Sequence, residues 1–383
     1  MKNAKQQLRI QNFDFLLILL CGSLTVIGTL AIYSADENLA MRHLYGFLLG
    51  LGAAIFIAVL DYHIFLKFYW IFYILNIVLL VLVLLYGYSS HNAQRWLVVA
   101  GIRFQPAEAA KILLILFYAA FIMKYSGKMK YLLFDLLCLL LALPPIYLVY
   151  RQPDLSTSIM LVLIFLVLMF VGGIRMRLVA SLVAIAVPAV PLLFYYALKP
   201  DSPLIRSFQQ RRILAWLHPE DYATTEAYQT LNSLMAIGSG QLHGKGFDTN
   251  EIGSVLSSGF ISESQTDFIY TVIGEEFGFV GACAVILLIL AITVDAYVIA
   301  ARAPDVAGRL IAAGLGTWVG FQGFLNIGVA TGVVPNTGIP LPFVSSGLTS
   351  LLSTYAGVGF VLSVRMQSGD TVKISPGKEF EGL

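Results

Sequence analysis

Charged residues are scarce in this sequence. Asp, Glu, Lys and Arg make up 12% of its 383 residues, about half of the roughly 25% that is usual in a soluble globular protein. Hydrophobic residues make up 58% and gather in long blocks such as 13–33 and 43–61. Each block is near the ~20 residues with which a helix crosses a bilayer. These features exclude an ordinary soluble fold and predict a protein that crosses a membrane several times.

Cysteine and histidine are also rare. The three cysteines, Cys21, Cys138 and Cys283, each lie inside an apolar block, where a thiol behaves as a small hydrophobic group. No disulfide framework is therefore expected. The five histidines are dispersed, without the close spacing of a zinc site. A net charge of +2 gives no extended positive field, so no nucleic-acid partner is expected.

The apolar blocks and the polar breaks between them predict an all-α bundle of about ten transmembrane helices. The predicted spans are 13–33, 43–61, 68–86, 105–123, 131–150, 155–172, 178–198, 268–300, 308–331 and 343–364. One connector, between spans seven and eight, is far longer than the others, and long loops in compact proteins are usually functional. We expect one domain over 1–366, with an extracytoplasmic loop at about 199–266 and a short cytoplasmic tail at 367–383.

The basic residues indicate the orientation of the bundle. They gather in the segments on one side, whereas the short loops opposite hold only Arg42, Arg95, Arg103 and Arg151. Because Lys and Arg are enriched in cytoplasmic loops, both termini are predicted to be cytoplasmic. The long loop then lies outside, where a short helix is predicted within 224–240, starting at Thr224 or Thr225 and ending at its glycines. The loop is expected to pack back onto the bundle.

Ionisable side chains at membrane depth cost about 2.5 to 3.5 kcal/mol each on insertion scales and mark candidate functional sites. Glu108 and Lys111 stand three residues apart in a span, on one helix face where they can pair. Alternatively, Glu108 is a first-turn acid favoured by the helix dipole, and Lys111 is merely its partner.

A second candidate is the pair Glu275 and Glu276 within GEEFG. Adjacent carboxylates point to different faces of a helix, so at least one is expected to face the bundle interior. The favoured interpretation is structural: a kink at Gly274 and Gly278 with carboxylates that neighbouring helices satisfy. These residues are expected to support the site.

A third candidate, Asp267, lies where the long loop enters a span. Thr266 or Asp267 could simply cap that helix. The functional alternative is a general base, because partial desolvation at the membrane boundary raises the pKa of a carboxyl group. Asp154, just before another span, has the same two interpretations, and capping is the favoured one on local grounds.

Several strings resemble those of one known family, the SEDS proteins (shape, elongation, division and sporulation), and most closely its RodA-type elongation polymerases. The strings are AQRW (93–96), FQPAEAAK (104–111), QPDLST (152–157), FQQRRILAWLHPE (208–220), AIGSGQLHGKG (236–246), FISESQTDFIYTVIGEEFG (260–278) and NIGVATGVVPNTGIPLPFVSSG (326–347). They run through almost the whole bundle, in the same order and on the same faces.

The resemblance implies a peptidoglycan glycosyltransferase that joins lipid II into glycan strands at the outer face of the cytoplasmic membrane of a bacterium. In that reaction Asp267 would deprotonate the acceptor hydroxyl, with inversion at the donor anomeric carbon. Arg95, Lys111 and Arg212 are candidates for diphosphate or positioning contacts, with Glu108 holding Lys111. Asp154 is expected to line or order the same cavity.

The resemblance also implies a class B penicillin-binding protein as the transpeptidase partner. A divalent cation, Mg²⁺ or Mn²⁺, is an expected cofactor because the departing diphosphate needs charge neutralisation, although the sequence offers no dedicated cage. Three alternatives remain open: a lipid II flippase, a non-catalytic scaffold that recruits wall-synthesis proteins, and a division-type or sporulation-type member of the same family. A flippase would need a hydrophilic path through the whole bundle, whereas few charges lie in the inner half of the predicted spans.

Overall fold

The computed structural model describes residues 10–90, 93–99, 102–129, 131–199, 205, 207–248, 261 and 264–368. Beyond its first two positions, the predicted tail at 367–383 lies outside these residues. The helices are α1 (Phe15–Ala35), α2 (Glu37–Val59), α3 (Tyr62–Leu66), α4 (Tyr69–Tyr86), α5 (Pro106–Lys124), α6 (Leu132–Arg151), α7 (Leu155–Val171), α8 (Met176–Ala197), α9 (Ser207–Leu217), α10 (Tyr228–Ser239), α11 (Ile269–Ala301), α12 (Val306–Ala330) and α13 (Leu348–Gln367).

The predicted all-α membrane bundle is confirmed, and each predicted span coincides with one of these helices. By length and composition, α1, α2, α4, α5, α6, α11, α12 and α13 can each cross a membrane. The remaining two predicted spans correspond to α7 and α8, which contribute shorter apolar stretches. Large exposed apolar side chains cover the outer helices, as expected of surfaces that face lipid.

Two predicted span boundaries were wrong by several residues. Helix α2 begins at Glu37, because Asp36 caps it by accepting hydrogen bonds from the backbone N–H groups of Asn38 and Leu39. Helix α13 begins at Leu348, so the residues from 343 to 347 form a loop at the outer end of the bundle. That second correction matters because this loop contacts the candidate site.

A small antiparallel sheet, which the sequence analysis did not predict, follows α4. Its strands are β1 (Tyr88–Ser90), β2 (Ala93–Val99) and β3 (Ile102–Phe104), in the order β1-β2-β3. Leu97 pairs with Phe104 between β2 and β3. The strands carry no apolar block of spanning length, and they place Arg95 at the outer end of the bundle.

Helix α5 forms the centre of the bundle. Its apolar stretch is 89% buried, the highest share among the candidate spans of the described residues, and α12 follows at 72%. Small residues let the neighbouring helices approach closely: a Cβ atom at Gly314 of α12 would lie 2.9 Å from the side chain of Ile115 in α5. Helices α5 and α12, which carry Lys111 and Gln322, are therefore closely packed together.

Helix α11 is broken at Gly278, whose φ of 64° and ψ of −161° interrupt the helical geometry. This backbone conformation is essentially confined to glycine. Residues 240–246, which follow α10, cover the break: Phe279 N donates to Gln241 O at 2.8 Å, and Lys245 N donates to Glu275 O at 2.9 Å. The predicted kink is confirmed at Gly278, and it leaves a short outer segment, 269–277, directly after Asp267.

The described residues of the long loop between α8 and α11 pack back onto the bundle, as predicted. The predicted loop helix is α10, which begins at Tyr228 rather than at Thr224 or Thr225 and has Gly240 as its C-cap. Ser233 on α10 donates a hydrogen bond of 2.7 Å to Ala330 O at the end of α12. The loop residues therefore form part of the outer end of the bundle.

Candidate functional site

Asp267 lies in a turn immediately before α11 and is half-buried. The N-cap position of α11 is Phe268, and not Thr266 or Asp267 as the capping alternative expected, and Phe268 itself makes no side-chain capping hydrogen bond. Occupancy of the N-cap position therefore does not account for Asp267.

The turn that carries Asp267 is fastened by groups from α12 and from the loop before α13. Asn326 Nδ2 donates to Asp267 O at 2.8 Å, and Ser345 Oγ donates to Thr266 O at 2.5 Å. The backbone N–H of Ser346 donates to Gln265 O at 2.9 Å. Three successive backbone carbonyls of the turn are thus held, which sets the direction in which the Asp267 side chain leaves the backbone.

Gly338 lies against the Asp267 carboxylate. A Cβ atom at this glycine would lie 3.2 Å from Asp267 Oδ2, and its φ is +67°, a conformation that favours glycine. The backbone therefore passes close to one carboxylate oxygen without a side chain between them.

Arg95 and Asp154 lie together at the same end of the bundle. Arg95 Nε is 3.9 Å from Asp154 Oδ2, and the guanidinium group donates a hydrogen bond to Pro153 O. Asp154 also caps α7, accepting from Thr157 N at 3.1 Å, so the capping interpretation of Asp154 is confirmed. Its other oxygen is left to interact with Arg95.

Arg212, on α9, interacts electrostatically with the other charged residues of the candidate site. Burial and the positive charge of Arg95 lower the pKa of Arg212, whereas the charges of Asp267 and Glu226 raise it. Arg212 therefore interacts electrostatically with both Arg95 and Asp267, although the three residues come from a strand, a loop helix and the turn before a span. The structure brings these three predicted residues together, with Asp154 beside Arg95.

An open cleft adjoins this constellation. Arg212 and Trp216 of α9 line one side, Ala227 and Leu234 line another, and Asn336 lies on the loop that leads to Gly338. Its walls combine apolar surface with the cation Arg212 and the carboxylate of Glu226, which pairs with Arg211. Because Arg211 neutralises Glu226, the cleft suits a ligand that carries both an anionic group and apolar parts.

Glu108 and Lys111 lie inside the bundle rather than in this cleft. Lys111 Nζ is 2.7 Å from Glu108 Oε1 and 2.6 Å from Gln322 Oε1, so the predicted pairing is confirmed. Both side chains are only 1% exposed, and the ammonium group lies 5.0 Å from the centre of the Trp318 ring. Direct contact of Lys111 with a diphosphate stays a prediction, and this burial favours a supporting role instead.

Glu275 and Glu276 lie at the break in α11, and both are buried. Glu275 Oε1 pairs with Lys245 Nζ at 2.7 Å, and Glu276 accepts a hydrogen bond from the Ser34 hydroxyl at the end of α1. Through these contacts, the two carboxylates connect residues 240–246 and α1 to the segment 269–277 of α11. This arrangement fits the supporting role expected of them.

The sequence analysis missed Asn326, Gln322, Gly338 and Ser345 as contributors to the site. Three of them belong to the string 326–347, which was treated as a family marker rather than as a set of side chains with partners. The sequence was searched for buried charges, and neutral amides and hydroxyls carry none, so these residues were not predicted.

The expected divalent cation finds no ready set of protein ligands here. Within the described ranges, no group of three or more His, Cys, Asp or Glu side chains converges as a metal site would require. Asp267 interacts electrostatically with a cation, Arg212, rather than with a cluster of further carboxylates among the described residues. The described residues therefore do not fit a protein-held metal, and no chemical step below depends on one.

Comparison with known proteins identifies the family. The profile of the FtsW/RodA/SpoVE family, described as "Cell cycle protein", matches residues 8–370. The chain is 35% identical to the peptidoglycan glycosyltransferase MrdB of Escherichia coli K12 over 364 residues, which cover 92% of this chain and 93% of that protein. It is 30% identical to the probable peptidoglycan glycosyltransferase FtsW of Geobacter sulfurreducens, over 93% and 95% of the two chains.

Two solved structures are similar throughout. One is a chain of a peptidoglycan synthase complex, solved for the structural coordination of polymerization and crosslinking, with a TM-score of 0.75, 27% identity and coverage of 94% of this chain and 99% of that chain. The other is the rod shape determining protein RodA of Thermus thermophilus, with a TM-score of 0.68, 28% identity and coverage of 93% and 97%. The chain is thus a multi-pass membrane protein that belongs to the FtsW/RodA/SpoVE family of cell cycle proteins, the SEDS family that its motifs resemble.

Proposed function

We propose that this protein is a peptidoglycan glycosyltransferase that polymerises lipid II into glycan strands. The names of its relatives in Escherichia coli and Geobacter sulfurreducens support this activity. The observation that carries the proposal is that Arg212, which lines an open cleft, interacts electrostatically with one half-buried carboxylate, Asp267, and with Arg95.

Asp267 is the general base in this proposal. The acceptor sugar hydroxyl transfers its proton to the Asp267 carboxylate as its oxygen attacks the anomeric carbon of the donor. The bond between that carbon and the phosphate oxygen breaks, and the polyprenyl diphosphate leaves with the electron pair, with inversion at carbon. A base acts in this way only within hydrogen-bond reach of the acceptor proton, so a fixed backbone around Asp267 serves the reaction directly.

Arg95 and Arg212 stabilise the departing diphosphate. Preorganised cations aimed at developing negative charge contribute more in a partly desolvated site than in water. Arg212 is half-buried beside apolar residues of the cleft, which suits this role. Asp154 holds the Arg95 guanidinium beside α7. Any Mg²⁺ or Mn²⁺ would rely on diphosphate oxygens for much of its coordination, because the described residues form no cage.

The reaction is placed at the outer face of a bacterial cytoplasmic membrane, with both termini in the cytoplasm. The charge asymmetry of the short loops supports this orientation. A class B penicillin-binding protein is the proposed partner, supported by the similarity to a chain of a peptidoglycan synthase complex. Within the family we propose the elongation type, supported by the similarity to RodA and MrdB, with a division type as the alternative.

The test is polymerisation of labelled lipid II by the purified protein together with its penicillin-binding partner, after any polymerase activity of the partner has been excluded. Asp267→Asn is compared with Asp221→Asn, which changes an exposed carboxylate of the same outer loop. We expect glycan strands from the wild type and from Asp221→Asn, and none from folded Asp267→Asn. If the wild type makes no polymer but moves lipid II between the leaflets of a vesicle, the flippase alternative replaces this proposal.

A further inference from the structure

Two amide side chains, Asn326 and Gln322, stand one turn apart on α12 beneath the candidate site. Asn326 is 1% exposed, and its Nδ2 donates both to Asp267 O at 2.8 Å and to Ile339 O at 2.7 Å. Both partners are carbonyl oxygens, which can only accept hydrogen bonds. The orientation of this amide is therefore dictated by its neighbours, and both of its donors are used.

Gln322 continues the same arrangement toward the centre of the bundle. Its Nε2 donates to Pro340 O at 2.8 Å, and its Oε1 accepts from Lys111 Nζ at 2.6 Å and from Trp318 Nε1 at 2.7 Å. The two amides thus hold consecutive carbonyls, those of Ile339 and Pro340. They connect this segment to the buried pair of Lys111 and Glu108.

We propose that Asn326 is a positioning residue for Asp267, an inference that rests on the proposed role of Asp267 as the base. One amide nitrogen fixes two things at once: the backbone of Asp267 and the carbonyl of Ile339. Ile339 directly follows Gly338, whose backbone lies against the Asp267 carboxylate. Asn326 therefore fixes both the backbone from which the Asp267 side chain extends and the backbone at Gly338 that lies against the Asp267 carboxylate.

The arrangement acts through geometry and not through charge. Asn326 is neutral and buried, and it contacts the backbone carbonyl of Asp267 rather than the reacting carboxylate. Loss of its two hydrogen bonds would leave the base and the Gly338 backbone free to shift independently. Because a displacement of about 1 Å in a catalytic group can cost on the order of 10²-fold in rate, the effect should appear in kcat.

The experiment measures lipid II polymerisation by Asn326→Leu with the penicillin-binding partner, and the chain offers a matched control. Asn76 on α4 is also 1% exposed, but neither of its side-chain polar atoms has a hydrogen-bond partner. Asn76→Leu removes the same buried amide from a place with no link to Asp267. We expect Asn326→Leu to lower kcat about 10²-fold with KM within about twofold, and Asn76→Leu to leave both unchanged.

A second variant separates positioning from folding. Asn326→Asp keeps the size of the side chain but, when ionised, has no donor for the two carbonyls; when protonated, it regains one. Its activity per folded protein, relative to wild type, should rise as the pH is lowered, whereas a defect confined to folding disappears once activity is divided by the folded fraction at each pH. The pH dependence of Asn326→Asp therefore tests the positioning role of Asn326 even if Asn326→Leu fails to fold.

Asp267→Asn is measured in parallel so that the two proposals can fail separately. If Asp267→Asn is inactive while Asn326→Leu keeps kcat within threefold of wild type, the positioning role is overturned and the base remains. A pH-independent ratio for Asn326→Asp overturns it equally. If Asp267→Asn polymerises normally, the base assignment itself fails, and the inference about Asn326 falls with it.

Discussion

Lys111 and Glu108 form an ion pair of 2.7 Å that is almost entirely enclosed by the bundle, with both side chains 1% exposed. A second pair in the chain has nearly the same length but a different environment: Arg211 Nε lies 2.6 Å from Glu226 Oε1, with the two side chains 56% and 24% exposed. Because the two distances are nearly equal, the pairs differ mainly in their burial and in the further hydrogen bond from Lys111 to Gln322.

We predict that Lys111→Met strongly destabilises the protein. Removing one partner of a buried pair leaves an uncompensated charge and typically costs about 3–5 kcal/mol, whereas exposed pairs contribute about 0–1 kcal/mol. Arg211→Met should therefore change the thermal unfolding midpoint in detergent only slightly. The double variant Glu108→Gln/Lys111→Met should recover much of the loss, because no buried charge then remains. Equal shifts for the two single variants would contradict the prediction.

The next prediction concerns Gly238, near the end of α10, and Gly240, the C-cap of that helix. A Cβ atom at Gly240 would lie 2.0 Å from Gly274 O, whereas a Cβ atom at Gly238 would meet nothing within 4 Å. Gly240→Ala must therefore push α10 away from the short outer segment of α11 that follows Asp267. We expect lower thermal stability and at least a tenfold loss of polymerisation, since about 1 Å of displacement costs on the order of 10²-fold.

The matched variant Gly238→Ala should have the opposite effect on stability. Alanine is favoured over glycine in a helix by about 1 kcal/mol, and this position has space for the methyl group. Polymerisation should be unchanged. If both alanine variants behave alike, close contact between α10 and α11 is not what the glycine provides.

The bundle could be predicted from the sequence because each span carries its own signal, a run of apolar residues long enough to cross a membrane. The pairing of Glu108 with Lys111 was equally local, since three residues along a helix place side chains on one face. The grouping of Arg95, Arg212 and Asp267 could not be predicted from local sequence. It depends on how β2, α9 and the turn before α11 meet at the end of the bundle, and only the resemblance to a family suggested it.

Neutral groups were the harder part of the site. Asn326 stands in an apolar helix and gives no charge signal, and its role depends on two carbonyls that are 59 and 13 residues away along the chain. The sheet that carries Arg95 was missed for a related reason: β1 and β3 have three residues each, too few for a periodic pattern. Only the structure distinguished the two aspartates: Asp154 is the N-cap residue of α7, whereas the N-cap residue of α11 is Phe268 and not Asp267.

Adjacent arginines on α9 allow a test of the electrostatic part of the site. Arg212 lines the cleft and lies in the field of Asp267, whereas Arg211 pairs with Glu226. We predict that Arg212→Gln lowers kcat/KM for lipid II by about 10- to 10²-fold, the scale expected when one group that stabilises developing charge is lost. Arg211→Gln should stay within about twofold of wild type. A similar loss in both variants would mean that net charge on α9, and not the position of Arg212, is what matters.

The opposite end of the bundle carries a pH-sensitive contact. His63 lies in α3, outside the spans, with Nδ1 2.7 Å from Asp61 Oδ1 and Nε2 2.6 Å from Asp305 Oδ2. Tyr62 also donates to Asp305 Oδ2, at 2.8 Å. Asp305 starts α12 and Asn326 lies 21 residues further along that helix, which is about 30 Å at ~1.5 Å per residue.

We predict that this contact stabilises the protein only while His63 is protonated. Burial alone lowers the pKa of His63, but its hydrogen bonds to Asp305 and Asp61 outweigh burial and raise the pKa from 6.5 to about 9. Since the folded-state pKa is above the unfolded value, the stabilisation is fully present below about pH 6.5 and is lost as the pH rises through about 9. The unfolding midpoint of wild type should therefore exceed that of His63→Gln most at pH 6, and the difference should shrink toward pH 10. A difference that stays constant over this range would show that packing of the ring, and not its charge, holds α3 to α12.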